Sequence, residues 1–316
     1  MIVTVTPNPS LDLTYDFTRG PVGGPDDVQR AASATMEASG KGINVSRALA
    51  FADLDSYAVL PAGGATGRYL VELLDVESIR HRVTPQGGET RINTTALRPG
   101  GVTAKLNGPG ATLAASEVDA LRDAVDAALA EAAGARMRPW LAICGSLPPG
   151  VDAQLVVDLV GIGHRHKARC VVDASGPALF AALGAQADLI APNRQELAEI
   201  DPSIPAVGDL NELADAAKRL ASRVGIDLLV SLGRDGALHT DGSHALRCWG
   251  PTLVPVNTAG AGDALLSGWL SGEGLDCRAR LERAVRWGRS ACLTTTTVDP
   301  NPGRGDAAPL TIEELS

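Results

Sequence analysis

Asn257-Thr258-Ala259-Gly260-Ala261-Gly262-Asp263-Ala264 is the segment richest in chemistry. The apolar run Leu253-Val254-Pro255-Val256 precedes it, and a helical stretch with Leu265, Leu266, Trp269 and Leu270 follows. Small residues at a helix start let backbone N–H groups approach an anion closely, and the helix dipole favours negative charge there. An acid directly after such a loop would be repelled by a bound phosphate. The placement makes sense if Asp263 accepts a proton from a hydroxyl attacking a phosphoryl group. The plain structural alternative is an Asp in the first turn of a glycine-introduced helix.

Ser39-Gly40-Lys41-Gly42-Ile43-Asn44-Val45-Ser46-Arg47 is a second candidate. Gly40, Lys41 and Gly42 would open a helix buried through Val45, Ala48, Leu49 and Ala52. Lys41 and Asn44 would then stand at its mouth, able to hold a polar or anionic ligand. The segment is not a Walker A loop, since no Ser or Thr follows Lys41 and no Gly stands five residues before Gly40. A glycine-led helix start with a solvated Lys is the alternative. The third candidate, Pro192-Asn193-Arg194-Gln195-Glu196, follows the apolar Leu189-Ile190-Ala191. Asn193 and Glu196, three apart at a helix start, would either hold a hydrated Mg²⁺ or form a capping pair. Two Gly-rich turns, Ser231-Leu232-Gly233-Arg234-Asp235-Gly236 and Cys144-Gly145-Ser146-Leu147-Pro148-Pro149-Gly150, also follow apolar runs. In open α/β sheets that location is the rim of a ligand pocket. His164 and His166 do not share a helical face, no His cluster has metal-ligand spacing, and no G-x-S-x-G elbow offers a hydrolase nucleophile.

The elements that would position these residues are strands alternating with helices. Ile2–Thr6, Tyr57–Leu60, Leu141–Cys144, Cys170–Asp173, Leu189–Ala191 and Asp227–Ser231 read as buried strands. Val118, Leu121, Val125 and Leu129 recur at helical spacing after a Ser116-x-x-Asp119 capping signal. Leu210, Leu213, Ala217, Leu220 and Val224 do so after a candidate N-cap at Asp209. This alternation predicts a mostly parallel sheet with helices on both faces. Two stretches, about 11–34 and about 80–106, read instead as strands and turns. They would pair into a small sheet over one edge of the large unit, or remain two surface hairpins.

The 316 residues are 45% hydrophobic and 21% charged, enough apolar material for a sizeable core. Aromatics are only 3%, so small aliphatic side chains must fill it. A net charge of −9 argues against a nucleic-acid surface but allows a local basic pocket. The five scattered cysteines lack C-x-x-C spacing and read as reduced thiols. No signal peptide or membrane span is expected, so the expected location is cytoplasmic.

In these residues, and in their order, the chain resembles the PfkB-type, ribokinase-like carbohydrate kinases. Gly40-Lys41-Gly42-Ile43-Asn44-Val45 matches the first family signature and Thr258-Ala259-Gly260-Ala261-Gly262-Asp263 the second. Asn8-Pro9-Ser10-Leu11-Asp12, Thr90-Arg91-Ile92-Asn93 and Gly145-Ser146-Leu147-Pro148-Pro149-Gly150 are similar to the phosphofructokinase and tagatose-phosphate kinase branch. The resemblance runs from Thr6 to Gly288, nearly the whole chain. It implies one ribokinase-like three-layer α/β/α domain over residues 1–316, with a small β-sheet lid from the two insertions and a homodimer through that lid. It implies transfer of the ATP γ-phosphoryl group to a sugar hydroxyl.

Carried over by position, Asp263 would be the base, and the amides of Gly260, Ala261 and Gly262 the anion hole. Asn193 and Glu196 would lie near the triphosphate and Mg²⁺. Ser231, Gly233, Gly236 and Gly288 would line the nucleotide. Asp12 would bind sugar hydroxyls beside Gly40, Lys41 and Asn44. Arg91 and Lys41, with Ser146, would hold the phosphate already on the substrate. Asn257 and Ala259 would mark a K⁺ site. Ser39 stands where the family often has Gly. Lys105 stands where related sugar-phosphate kinases often have Glu, and would either add a third cation or point to solvent. The leading activity is phosphorylation of fructose 1-phosphate. 6-Phosphofructokinase, tagatose-6-phosphate kinase, a kinase of an unphosphorylated sugar or nucleoside, and a silent sugar-phosphate sensor are the alternatives.

Overall fold

A computed structural model describes residues 1–18, 28–99, 103–132, 138–204 and 207–315. Its strands in chain order are β1 (Ile2–Val5), β2 (Ser10–Asp16), β3 (Ser33–Ser39), β4 (Ser56–Ala62), β5 (His81–Pro85), β6 (Arg91–Leu97) and β7 (Thr103–Asn107). They continue with β8 (Trp140–Cys144), β9 (Arg169–Asp173), β10 (Leu189–Ile190), β11 (Asp227–Ser231), β12 (Ala237–Thr240), β13 (Ala245–Trp249) and β14 (Thr311–Glu314). The helices are α1 (Lys41–Phe51), α2 (Gly64–Val76), α3 (Ala115–Ala132), α4 (Gln154–Arg165), α5 (Pro177–Gly184), α6 (Arg194–Ile200), α7 (Leu210–Val224), α8 (Ala261–Ser271) and α9 (Cys277–Ala291).

Every run read as a buried strand joins one large sheet of order β14-β13-β12-β11-β10-β9-β8-β1-β4-β5. It is parallel from β11 to β5 and antiparallel beyond β11. Alternation along each strand feeds two cores. Val3, Val5, Leu141 and Ile143 pack with Leu121, Leu129, Leu155, Leu159 and Leu220 of α3, α4 and α7. Ile2, Trp140 and Ala142 face the other way, onto Val45 and Leu49 of α1, Leu266 and Trp269 of α8, and Val285 of α9. Burying each such large side chain stabilises the fold by about 1.5–3 kcal/mol. This is the expected three-layer α/β/α architecture.

The small sheet has order β3-β2-β6-β7. It is rooted by Leu11 and Ala38, which are buried with Ile43, Leu70 and Leu74 of α1 and α2. Its boundaries differ from those expected. β3 runs on to Ser39, whereas His81–Pro85 pairs parallel to β4 at the edge of the large sheet. The crossover helix α2 explains this, because a strand–helix–strand unit returns the chain alongside its first strand. The parts of the two insertions at 19–27 and 100–102 lie outside the described residues.

The helix signals fare unequally. Asp209 caps α7, accepting from the Asn211 and Glu212 N–H groups. Ser116 and Asp119 form no cap: α3 starts at Ala115, and Glu117 accepts the Ala114 N–H at 2.7 Å. Lys105 is exposed on β7. Among the described residues, no helix is long and apolar enough to cross a membrane.

Candidate active site

α1, α8, β9 and the root of the small sheet converge on one cleft. Gly40 caps α1 at φ 123° and ψ 141°, a conformation suited to glycine. A Cβ on Gly42 would stand 2.5 Å from Thr6 Oγ1, so the helix start must be bare to pack against the end of β1. Lys41 thereby reaches across to Asp173 at the end of β9, Nζ to Oδ1 2.6 Å. Attraction to Asp173 outweighs the burial penalty, and with Asp263 and Glu196 it raises the lysine's pKa.

Asp263 lies in the first turn of α8 and is 8% exposed. Its Oδ2 accepts from Asn44 Nδ2 at 2.7 Å. Burial, reinforced by the charge of Asp173, pushes its pKa up to about 7 against the opposing pull of Lys41 and Asn44. A carboxylate poised there suits proton transfer near neutrality. Gly260 precedes it at φ 76°, where an added Cβ would overlap the Thr297 carbonyl. Among the described residues, nothing beyond the adjoining backbone of α8 lies within 4 Å of a Cβ placed on Gly262. Ala261 and Gly262 stand in the first turn of α8, where N–H groups precede any intrahelical bond and suit an anion.

A polar chain joins this acid to the small sheet. Ser39 Oγ lies 3.4 Å from Asn44 Oδ1 and donates to Asp12 Oδ2 at 2.8 Å. Ser10 and Asn93 donate to Asp12 Oδ1 at 2.8 and 3.0 Å. Asp12 and Asn93 are paired neighbours on β2 and β6, which places both on one face. Farther out, Arg91 donates to the Asn8 and Gly108 carbonyls at 2.9 and 3.1 Å. Its Nε is buried without a partner. Burial lowers the Arg91 pKa, partly offset by Asp12. Asn8 donates to Ser146 Oγ at 3.3 Å, so Ser146 belongs to this end of the cleft.

On the other side of α8 a cavity of about 350 Å³ opens. Ser231, Gly233, Gly236 and Gly288, all singled out from the sequence, line it with Ala261 and Gly262. Gly262 thus faces the junction between the cavity and the cleft. Asn193 and Glu196 do form the capping pair. Asn193 accepts from the Gln195 and Glu196 N–H groups, and Glu196 accepts from the Asn193 N–H at 2.8 Å. Asn193 also bridges to Ser231, which holds the pair at the cavity's edge. Glu196 is also near enough to Lys41 to raise its pKa. Asn257 accepts the Ala259 N–H at 2.9 Å and donates to the Thr295 carbonyl at 3.4 Å, closing the loop before α8.

Two features of the cleft add to the expectation. Lys41 and Arg91 do not share partners: Lys41 engages Asp173 beside Asp263, and Arg91 engages Asn8 and Gly108. Ser39 is more than a neutral replacement for Gly, since its hydroxyl reaches both Asp12 and Asn44. Sequence reading gave no role to Asp173, nor to Asn8 and Asn93, although the last two stand in motifs it singled out. Asp173 ends a strand on the same rim as the Gly-rich turns, and that position was the available signal. Away from the cleft, His164, Cys170 and Asp188 approach one another. Burial pushes the Cys170 thiol up to about 12.

Comparison with known proteins agrees with this geometry. Residues 5–303 match the family model for pfkB family carbohydrate kinases. The chain is 34% identical to the ATP-dependent 6-phosphofructokinase isozyme 2 of Escherichia coli, over 93% of this chain and 92% of that protein. It is 35% identical to the 1-phosphofructokinase of Haloferax volcanii, over 86% and 83% of the two chains. A crystal structure of Escherichia coli phosphofructokinase-2 in complex with substrates and products superposes with TM-score 0.85 at 30% identity, covering 95% of each chain. Arabidopsis thaliana ribokinase, complexed with ribose and ATP, shares the fold at TM-score 0.69 and 18% identity, covering 96% of each chain.

Proposed function

The chain belongs to the pfkB family of carbohydrate kinases, and we propose that it transfers the γ-phosphoryl group of ATP to a hydroxyl of a ketohexose monophosphate, with fructose 1-phosphate as the leading substrate. The observation that carries the reading is Asp263, buried at the start of α8, bonded to Asn44 and with its pKa raised to about 7. The relatives named 1-phosphofructokinase and 6-phosphofructokinase support a fructose phosphate and differ over which one.

Asp12 and Asn93 orient the sugar hydroxyls, and Arg91, with Ser146 nearby, receives the phosphate already on the sugar. The acceptor hydroxyl then lies at the opposite end, towards Asp263. Asp263 takes its proton as the oxygen attacks the γ-phosphorus and the bond to the β–γ bridging oxygen breaks. The N–H groups of Gly260, Ala261 and Gly262 and the ammonium of Lys41 stabilise charge on the transferring group. The cavity beside Gly288 takes the nucleotide, with Ser231, Gly233 and Gly236 along its wall.

The donor set also fits a divalent cation. Asp173, Glu196 and Asn193 offer hard oxygens at the cleft's edge, the ligands Mg²⁺ prefers. They would hold it there, and when bound it neutralises phosphate charge. The neutral oxygens of the Asn257–Ala259 loop are our candidate for K⁺. The small sheet leaves Tyr15, Ile92 and Leu106 exposed, and Leu106 is 71% accessible. This apolar patch supports its use as a lid that pairs two copies, which light scattering would test.

The function is tested by ADP release with fructose 1-phosphate, fructose 6-phosphate, tagatose 6-phosphate, fructose and ribose. We expect kcat/KM for a ketohexose monophosphate to exceed that for fructose and ribose by at least about tenfold, the scale of one charge-assisted contact. Preference for an unphosphorylated sugar would overturn the reading.

A further inference from the structure

We propose that Cys277 is a peroxide-reactive thiol, and that the Cys277–His239–Asp227 cluster is a second chemical site outside the kinase cleft. Cys277 is the first residue of α9, directly after its N-cap Asp276. Its sulfur lies 3.1 Å from His239 Nδ1. The opposite ring nitrogen, Nε2, faces Asp227 Oδ2 at 3.5 Å. His239 is only 6% exposed and stacks on Trp269 with ring centroids 4.5 Å apart. A thiol, an imidazole and a carboxylate therefore follow one another in space, the set of groups by which enzymes activate sulfur. No well-formed hydrogen bond satisfies the buried Nε2, so the imidazole is held by packing and by its two charged or polar flanks.

Two further features favour a nucleophilic sulfur. The first N–H groups of α9 precede any intrahelical bond and favour negative charge at that end. Burial opposes charge on His239, but the contacts to Asp227 and Cys277 outweigh it and push its pKa up to about 9. The other cysteines lack this setting. Cys144, Cys170 and Cys248 are buried, which raises their thiol pKa values. Cys292 lines the nucleotide cavity, and burial raises its pKa also.

The site has its own opening. A cavity of about 320 Å³ is lined by His239 and Cys277, with Asp241, Asp276 and Glu314 among its walls. It shares no lining residue with the cavity beside Gly288. The walls carry both signs of charge, the three acids against Arg278 and His244, and hydrogen peroxide is small and neutral enough to enter such a cavity. In the step proposed, sulfur attacks one peroxide oxygen and the O–O bond breaks. The proton held on the Cys277–His239 pair moves to the departing hydroxide, which leaves as water. Cys277 is oxidised to the sulfenic acid and the peroxide is reduced.

The test is exposure of the full-length protein to hydrogen peroxide with dimedone as trap, each cysteine being followed by peptide mass spectrometry. Cys277 should be trapped at least tenfold faster than Cys292, and His239→Asn should slow it at least tenfold. Asp227→Asn, at a half-exposed carboxylate, should slow it severalfold and provides the comparison if His239→Asn does not fold. Cys277→Ser should retain sugar-phosphate kinase turnover, so loss of the kinase reading and loss of this one are separable. Trapping of Cys277 no faster than Cys292 in the unmodified protein would overturn the proposal. So would a rate unchanged in a folded His239→Asn or Asp227→Asn variant.

Discussion

Replacing Asn44 by Ala should move the acid limb of the kinase's pH–rate profile upwards. Asn44 donates a 2.7 Å hydrogen bond to Asp263 Oδ2 and lowers a pKa that burial and Asp173 have driven up to about 7. A hydrogen bond to a charged group contributes about 1.5–3 kcal/mol, which is roughly one to two pKa units at 1.36 kcal/mol each. Without it the base would titrate near pH ~8–9, so at pH 7 its deprotonated fraction falls roughly 5- to 50-fold. The sign follows from the role: a base works deprotonated, so activity is lost below its pKa and recovered above it. The assay is kcat/KM for the preferred sugar phosphate, by coupled ADP release, from pH 6 to pH 9.5. The deficit should be largest at low pH and shrink towards the alkaline end, leaving any contribution of Asn44 to sugar binding as a constant factor. A profile displaced downwards by the same factor at every pH would refute the reasoning, because it would show that Asn44 does not set the protonation of the base.

Asp263→Asn should lower kcat by about 10³-fold or more, the scale of general-base catalysis with its alignment, while ATP binding measured by calorimetry persists. Because the native pKa of Asp263 lies above the ordinary carboxylate value, the wild-type protein loses stability as pH rises through about 7. The same variant should therefore raise Tm more at pH 8 than at pH 5, and an equal shift at both would contradict the buried-acid picture. Arg91→Ala should raise KM for the sugar phosphate by about tenfold or more and leave KM for ATP within about twofold, as expected for loss of one charge-assisted contact. Gly260→Ala should lower both Tm and kcat, since it combines a φ of 76° with overlap on the Thr297 carbonyl; an active variant of wild-type Tm would show that the loop can relax.

Much of the architecture was legible because local patterns and tertiary demands agree. A strand buried on both faces, such as Leu141–Cys144, is apolar throughout, and an amphipathic helix such as α7 announces its start at Asp209. His81–Pro85 was misplaced because its alternation alone does not say which sheet accepts it; the crossover through α2 decides that. Ser116 and Asp119 have the right spacing for a cap, but Glu117 reaches the Ala114 N–H two residues earlier, and the helix starts at Ala115.

The site was legible to a different degree. Asp263 and the Gly-rich cavity could be picked out because glycine and proline mark places where backbone must come close to something. Asp173 has no such mark. It matters because the parallel order β9-β8-β1 brings the end of β9 beside the start of α1, and no local pattern encodes that meeting. Ser39 shows the converse limit. Judged as a substitution for glycine it looks inert, yet its hydroxyl bonds Asp12 at 2.8 Å and lies 3.4 Å from Asn44 Oδ1. A hydroxyl has one proton. With that proton on Asp12, Ser39 presents a lone pair to the Asn44 carbonyl oxygen, an arrangement that favours the longer separation. The Asn44 orientation is set instead by its NH₂, which donates to Asp263 at 2.7 Å. Asp12 and Asn44 thus meet at one hydroxyl, a connection that exists only once β2, β3 and α1 have met.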